Sequence, residues 1–361
     1  MRPEVEVKVT LQGRLLGLDP PPYLRGGVVM APVRALAASL GARVEWLAEL
    51  KEAVILKKAA PFGEAVVHSP EVTKEGAASD LGEHSDEVRE FNDVGDILGF
   101  EDAGVGSAED ACSIKTEAPE MRLRAGLRQA TVNGKIVEME AAPEIIDGRL
   151  MAPLRPICEF LDAKVAWDDG IGTAIVMLPE AALSNRVVAM DPGHGGWDVG
   201  AIGVGGVYEK DINLDVAKRV TRLITLANGK PLMTRWEDEH VTLPSRVARV
   251  KAGLASLLIS IHANAYKDPE PGGTETYYYR PPKSEKAPLS PSLQLAKLVQ
   301  GELVKELGTR DRGVKEAAFY VLRHSPAPAI LTELGFISNP GEAKMLNDPW
   351  SREKAAMAIF R

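Results

Sequence analysis

The chain has 361 residues, of which 45% are hydrophobic and 26% are charged, a composition that allows two or three ordinary globular cores. No apolar run approaches the roughly 18 residues of a membrane-spanning helix, and the first residues lack the apolar core of a signal peptide, so neither a transmembrane segment nor a signal peptide is expected in this sequence. Cys112 and Cys158 are too few for a disulfide framework or a thiolate zinc site.

The net charge of −8 is unevenly distributed. Between Lys57 and Glu120 there are 16 acidic and 5 basic residues, so the rest of the chain is mildly basic. A dedicated nucleic-acid-binding protein would carry a concentrated basic face. The charge pattern therefore argues against a nucleic-acid partner.

The N-terminal part contains an internal duplication. "GVVMAPVRALAASLGARVEWLAELKEAVILKK" from Gly27 aligns without a gap with "GRLMAPLRPICEFLDAKVAWDDGIGTAIVMLP" from Gly148, at a constant offset of 121 residues. Each copy predicts a hairpin, a short amphipathic helix after "APVR" or "APLR", and two further strands. We expect a small α+β duplicated domain with copies at residues 1–58 and 120–180.

These copies resemble the repeat named after the N-terminal domain of copper amine oxidases, through "VNGK", "GRLMAPLR" and "VAW". Neither copy contains a histidine, so copper binding is not expected. The resemblance implies spacer or wall-associated modules. Between the copies, residues 59–119 form an acidic segment poor in aromatic residues, which we expect to be a mobile insert.

From residue 186 to 361 the pattern alternates between apolar strands and amphipathic helices. "RVVAMD", "ASLLISI" and "PAPAILTE" read as strands, and "KDINLDVAKRVTRLI" and "SLQLAKLVQGELVKEL" read as helices. This order predicts an α/β domain with a mostly parallel central sheet flanked by helices. Ligands of such sheets bind at the carboxyl ends of the strands.

Metal-ligating side chains follow three of these predicted strands. His194 comes after the first strand, His262 follows "LLISI", and Glu333 ends "PAPAILTE", while Glu209 precedes the first helix. Two imidazoles and a carboxylate form the three-ligand set of catalytic zinc, with a fourth position for water. A core histidine is the alternative for His262 alone, but the coincidence of three such strand ends favours a metal site.

The glycine-rich loop "GHGGWDVGAIGVGG" raises the question of nucleotide binding. A phosphate-binding loop would require GxxxxGK[ST], and no such Lys-Ser/Thr pair is present. We interpret the glycines as residues that turn the chain sharply and bring His194 and Glu209 together. No nucleotide is expected.

Seven collinear motifs over residues 186–357 resemble the zinc-dependent N-acetylmuramoyl-L-alanine amidases of the bacterial cell wall. They are "VVAMDPGHGGWDVGAIG", "YEKDINLDVAKRV", "MTRWEDEHVTLPSRV", "SIHANA", "GGTETYYY", "RGVKEAAFYVLR" and "ILTELGFISNP". The resemblance implies that His194, Glu209 and His262 bind zinc and that Glu333 is the catalytic carboxylate. It implies hydrolysis of the amide between N-acetylmuramic acid and L-alanine in peptidoglycan, and hence an extracytoplasmic, secreted or wall-bound location.

Two further residues resemble substrate-groove positions of that family, Asn264 and Arg246. For each a structural role remains equally open, an Asn that closes a turn and an Arg paired on a helix. We expect His240, in a polar loop, and His324, in a predicted turn, to be surface residues, with contact to substrate as the alternative for His324. Two other functions also remain open: a wall-binding or scaffold protein whose hydrolase domain is inactive, and a related zinc carboxypeptidase or amidase that acts on a different peptide.

Overall fold

The computed structural model describes residues 7–58, 118–281 and 290–361. Apart from Ala118 and Pro119, the acidic insert expected at 59–119 lies outside the described residues. Among the described helices, none combines the length and the apolar character needed to cross a membrane.

Within the described residues up to 177, the N-terminal part has thirteen strands and two helices. The strands are β1 Lys8–Leu11, β2 Arg14–Leu15, β3 Tyr23–Arg25, β4 Val28–Pro32, β5 Arg43–Leu47, β6 Glu52–Leu56, β7 Glu120–Arg124, β8 Gln129–Val132, β9 Lys135–Glu138, β10 Glu144–Ile146, β11 Arg149–Pro153, β12 Lys164–Asp168 and β13 Thr173–Met177. The helices are α1 Val33–Ser39 and α2 Leu154–Phe160, each directly after the Pro of its "AP" motif.

The two copies of the repeat exchange strands. β1 of the first copy pairs in parallel with β13 of the second, and β6 of the first pairs antiparallel with β7 of the second. β4 and β11 pair antiparallel with Ala31 opposite Ala152, which is its own equivalent at the 121-residue offset. A local two-fold axis therefore relates the copies at this point.

One hydrophobic core serves both copies. It joins Leu36 of α1 and Ile157 of α2 with Ile55, Leu123 and Val176 from the sheets, and all five side chains are almost fully buried. Each helix places its apolar face on this core, as the amphipathic pattern predicts. The duplicated segments thus form a single α+β unit and not two independent domains.

The C-terminal part is built around a six-stranded sheet. After a short 3₁₀ turn at Ala181–Leu183, its elements are β14 Val187–Pro192, α3 Glu209–Leu226, β15 Lys230–Met233, α4 Leu243–Ala252, β16 Leu257–Asn264, β17 Thr274–Tyr278, α5 Pro291–Leu307, β18 Asp311–Glu316, α6 Tyr320–His324, β19 Ala329–Phe336, α7 Pro340–Asn347 and α8 Pro349–Phe360. The strand order in the sheet is β15-β14-β16-β19-β17-β18. Strands β15, β14, β16 and β19 are mutually parallel, and β17 runs antiparallel to β19. The predicted fold class, α/β with a mostly parallel sheet, is confirmed.

Helices cover both faces of this sheet. α3, α5 and α8 contribute Val216, Leu303 and Met357 to the larger core on one face. α4 and α6 contribute Val250 and Leu322 to a smaller core on the other. Because alternate strand residues point to opposite faces, His262 and Glu333 lie on the α4 and α6 face, at the carboxyl ends of β16 and β19.

A buried ion cluster joins the two parts. Asp168 of β12 accepts hydrogen bonds from Arg219 (3.1 Å) and Arg222 (2.6 Å) of α3, and both arginines also donate to Glu353 of α8. The Glu353 side chain is fully buried. The second copy of the repeat is thereby anchored on the C-terminal domain.

Candidate metal centre

Three separate elements bring the predicted ligands to one point. His194 follows β14, Glu209 is the first residue of α3, and His262 lies in β16; one ligand atom from each lies within 4.8 Å of the others. Glu209 Oε1 is 2.9 Å from His262 Nδ1 and 3.3 Å from His194 Nε2. The imidazole rings are nearly perpendicular, with centroids 5.1 Å apart.

The glycines make this approach possible. A Cβ on Gly193 would lie 2.1 Å from the His262 ring, and a Cβ on Gly200 would lie 2.6 Å from Glu209 Oε2. Gly200 also has a φ of +68°, a conformation that side chains other than glycine rarely adopt. The glycine-rich loop therefore provides space for three converging ligands.

Further contacts orient the ligands. His194 Nδ1 lies 2.9 Å from Asp198 Oδ1, which leaves Nε2 facing Glu209. A carboxylate on the outer nitrogen of a ligating imidazole fixes its tautomer and raises its basicity. Glu209 Oε2 accepts the backbone N–H of Ala201 at 2.9 Å. Sequence reasoning did not assign this role to Asp198; its position four residues after His194 was the available signal.

The charges of the three ligands are strongly coupled. Burial by itself raises the pKa of Glu209, but hydrogen bonds from His194 and His262 outweigh it and hold that pKa well below its ordinary value. Burial lowers the pKa of His194, but its contacts with Glu209 and Asp198 prevail and raise the pKa to about 9. The pKa of His262 is raised in the same way by Glu209. The carboxylates of Glu209 and Asp198 therefore favour positive charge on the two imidazoles.

Glu333 stands opposite His262 in the register of β16 and β19. Its Oε2 atom is buried and has no hydrogen-bond partner within the described part of the chain. Burial, with smaller contributions from the negative charges of Glu209 and Glu275, raises the pKa of Glu333 to about 7, against the opposing effect of His262. A carboxyl group with this pKa can accept and release a proton near neutral pH.

A second carboxylate lies on the neighbouring strand, on the other side of Glu333 from His262. Glu275 of β17 is opposite Glu333, is 2% exposed, and was not identified from the sequence. It accepts hydrogen bonds from Asn264 (2.9 Å), Arg312 (2.7 Å), Tyr277 and Lys315. Its acidic side chain in the otherwise apolar or uncharged strand "TETYY" was the only signal. Asn264, predicted to contact substrate, thus lies beside the site with its amide donated to Glu275.

Arg246 occupies a different position from that expected of a groove residue. It is 4% exposed and donates to Asp191 (2.8 Å) and to the carbonyl oxygens of Pro192 and His194 (both 2.7 Å). The fully buried Arg235 donates to Pro192 and Gly193 carbonyls from the same loop. Arg246 therefore pairs with Asp191 and holds the backbone that carries the ligand His194. This is the structural alternative given for Arg246 in the sequence analysis.

The two remaining histidines of the domain lie against aromatic rings. His240 stacks on Trp197 with centroids 4.1 Å apart, and His324 stacks on Tyr320 at the same distance. His324 Nδ1 is also 3.0 Å from the Tyr320 carbonyl oxygen. Neither belongs to the ligand cluster.

Comparison with known proteins identifies two families in the chain. The N-acetylmuramoyl-L-alanine amidase family matches residues 188–361, and the copper amine oxidase N-terminal domain matches residues 10–81 and 91–176. Both resemblances drawn from the sequence are confirmed.

Three relatives come from Bacillus subtilis (strain 168). N-acetylmuramoyl-L-alanine amidase LytC is 42% identical over 184 residues, which cover 49% of this chain and 35% of LytC. The uncharacterised protein YqiI is 42% identical, covering 52% of this chain and 90% of YqiI. The germination-specific N-acetylmuramoyl-L-alanine amidase is 33% identical, covering 50% of this chain and 78% of that protein. The match thus spans about a third of LytC but most of the two shorter relatives. The chain therefore belongs to the N-acetylmuramoyl-L-alanine amidase family.

Proposed function

We propose that this protein hydrolyses the amide bond between the lactyl group of N-acetylmuramic acid and the L-alanine of the peptidoglycan stem peptide. The observation that carries the proposal is the convergence of His194, Glu209 and His262 beside Glu333, in a domain of the amidase family. Residues 186–361 would form the catalytic domain, and the repeats at 1–58 and 120–180 one accessory domain.

The three converging residues fit a zinc ion. Their donor atoms are two imidazole nitrogens and one carboxylate oxygen, the set found in catalytic zinc sites that keep a position open. Asp198 and the backbone N–H of Ala201 already hold two of the ligands in place. A zinc ion held by His194, Glu209 and His262 would supply Lewis acidity to the scissile carbonyl and to the attacking water.

Glu333 would perform the proton transfers. Its carboxylate accepts a proton from the attacking water, and its carboxylic acid then donates that proton to the nitrogen of L-alanine as the C–N bond breaks. The departing group leaves as an amine because an amide anion is too basic to depart unprotonated. The products are a free lactyl carboxylate and a stem peptide with a free L-alanine amino group.

The remaining parts of the proposal concern location. Cleavage of peptidoglycan requires the protein to act outside the cytoplasmic membrane, as a secreted or wall-bound autolysin. The accessory domain would position the catalytic domain at the wall, and the ion cluster around Asp168 supports a rigid connection between the two. Sedimentation of an inactive variant of the 361-residue protein with insoluble peptidoglycan tests this association.

The central experiment is digestion of purified peptidoglycan with mass spectrometry of the products. The zinc-loaded protein should release whole stem peptides with a free L-alanine terminus; chelation should stop the release and added zinc should restore it. Glu333→Gln should lower the activity by about 10²–10⁴-fold, whereas Glu45→Gln, at an exposed site of the accessory domain, should match the unaltered protein. Cleavage within the stem peptide would favour the peptidase alternative, and wall binding without any product would favour the scaffold.

A further inference from the structure

The turn that follows the first metal ligand carries a prominent aromatic side chain. We name residues Gly195–Asp198 the aromatic turn: the Gly195 N–H donates to the Asp198 carbonyl at 2.7 Å, and the Asp198 N–H donates back at 3.2 Å. Trp197 lies at its tip. The turn is bounded by His194 and by Asp198, which contacts His194 Nδ1, so Trp197 is at most about 11 Å from the ligand His194, measured between Cα atoms.

The aromatic turn is held firmly against the neighbouring loop. The Gly196 N–H donates to Asp238 at 2.8 Å, and Lys210 Nζ donates to the Gly196 carbonyl at 2.9 Å and to Asp238 at 2.6 Å. Gly195 and Gly196 have positive φ angles, and a Cβ on either would lie within 2.7 Å of the backbone of residues 239–240. The turn therefore has a defined position relative to the metal centre.

Within this rigid frame Trp197 is presented to solvent. Its side chain is 79% exposed, and one face of the indole stacks on His240 at 4.1 Å with an interplanar angle of 29°. Trp236, in the loop that supports the turn, is 50% exposed. A single exposed apolar residue is common on protein surfaces. Trp197 differs because its indole is backed by the His240 ring, is fixed in place, and lies three residues after a metal ligand. Such an indole is suited to stack on a flat apolar surface.

The charges around the site distinguish the two sides of the substrate. The aromatic turn follows β14 and lies next to an acidic loop at residues 237–239, in which Asp238 pairs with Lys210 (2.6 Å) and Glu239 pairs with Arg249 (3.5 Å), so that most of the loop's charge is balanced. On the opposite side of His262 and Glu333, strands β17 and β18 place the two partly exposed cations Arg312 and Lys315 on the single carboxylate Glu275. The second side suits a peptide with free carboxylates, and the first suits an uncharged group.

We propose that Trp197, backed by His240, is a stacking platform for a sugar ring of the glycan strand on the acyl side of the scissile bond. A pyranose ring has an apolar C–H face that packs on an aromatic ring, and its hydroxyl groups carry no charge that the acidic loop would repel. The inference rests on the proposed function, and it names the substrate group that binds beside β14.

The test compares two substrates that share the scissile amide. One is a muropeptide with its disaccharide, and the other is the lactyl peptide that lacks the sugar. For the zinc-loaded 361-residue protein, Trp197→Ala should lower kcat/KM about tenfold for the muropeptide and leave it unchanged for the lactyl peptide. Trp197→Phe should retain most of the activity. Leu254→Ala, at an 83% exposed apolar residue in the connection between α4 and the amino end of β16, is the matched control.

Three results would overturn the platform. An equal loss on both substrates would mean that Trp197 acts only through His194, a larger loss on the lactyl peptide would mean that it contacts the peptide, and no loss would mean that it contacts neither. Zinc content is measured for each variant, since loss of metal would produce an equal loss on both substrates.

A binding measurement separates this inference from the proposed function. The Glu333→Gln protein is titrated with peptide-free disaccharide oligomers of the glycan, and tryptophan fluorescence is followed with and without the additional Trp197→Ala change. Saturable quenching that requires Trp197 would support the platform even if no amidase activity is found. Absence of that quenching, together with no activity on either substrate, would overturn both.

Discussion

Two carboxylates on the same face of the catalytic sheet, the buried Asp191 and the partly buried Glu333, have opposite surroundings. Asp191, at the end of β14, accepts hydrogen bonds from Thr234 (2.5 Å), Arg246 (2.8 Å) and Ser260 (2.8 Å). Glu333, at the end of β19, keeps a buried oxygen without a partner among the described residues. The comparison shows that carboxylates at the same ends of the strands can have different roles. A carboxylate whose hydrogen bonds are satisfied stabilises the fold, and one with an unsatisfied oxygen is available for proton transfer.

The pKa values of the two groups follow this difference. Burial raises the pKa of Asp191, but the charge of Arg246 and hydrogen bonds from Thr234 and Ser260 outweigh burial and lower it. For Glu333 burial prevails, and its pKa is raised to about 7. The same desolvation therefore has opposite outcomes because only one of the groups has compensating donors.

The largest effect should come from Glu333→Gln. We expect kcat/KM on muropeptides to fall by about 10²–10⁴-fold, the contribution typical of a general acid–base group. The midpoint of thermal unfolding should not fall, because the amide removes a buried carboxyl whose oxygen lacks a donor. Activity and calorimetric unfolding of the same preparation measure both quantities. A large loss of thermal stability would contradict the contrast with Asp191.

Arg246→Met should have the opposite effect, mainly on stability. It leaves Asp191 buried without its cation, which we expect to lower the free energy of unfolding by about 3–5 kcal/mol. Urea unfolding of chelated protein measures the change. Lys251→Met, at an exposed cation of the same helix, is the control. Adding Asp191→Asn to Arg246→Met should recover part of the loss, and no recovery would show that the carbonyl contacts of Arg246 dominate.

Asp198→Ala should weaken zinc binding by about 10–100-fold, because the carboxylate that orients His194 is lost. Competition with a chromophoric chelator at fixed pH gives the affinity. Asp268→Ala, in an exposed loop, is the comparison variant. If zinc affinity stays unchanged while activity falls, Asp198 would instead act on the substrate.

The smallest effect concerns the pH dependence of stability in chelated protein. Because the folded pKa of Asp191 is below its unfolded value of about 3.9, its stabilisation is present above pH 4 and is lost as the pH falls through the folded pKa. The folded pKa of Glu333 is above its unfolded value of about 4.3, so stability is lost as the pH rises from about 4 to about 7.

These signs give a direct measurement. Asp191→Asn should be less stable than the unaltered protein above pH 4, and the difference in free energy of unfolding should shrink in strong acid. Glu333→Gln should become more stable than the unaltered protein as the pH rises towards 7. Urea midpoints at a series of pH values test both. Parallel curves for the two variants would mean that the two carboxylates are not electrostatically different.

The two copies of the repeat show which features could be predicted from the sequence and which strand pairings could not. The 121-residue offset predicted the duplication and the short helices after "APVR" and "APLR". It did not predict that β1 would pair with β13 or that β6 would pair with β7. Strand partners far apart in the chain are chosen by which edges and apolar faces meet in the folded protein, and a local pattern of alternating residues does not contain that choice.

For this protein the sequence by itself determined the fold class, the family and the candidate residues, because apolar periodicity and residue type are local properties. It identified His194, Glu209, His262 and Glu333 as candidates through their places at the ends of predicted elements. Only the tertiary structure decided that Arg246 lies beneath the site and that Glu275 lies opposite Glu333. Burial and hydrogen-bond partners depend on packing between distant segments, and those partners distinguish a structural charge from a reactive one.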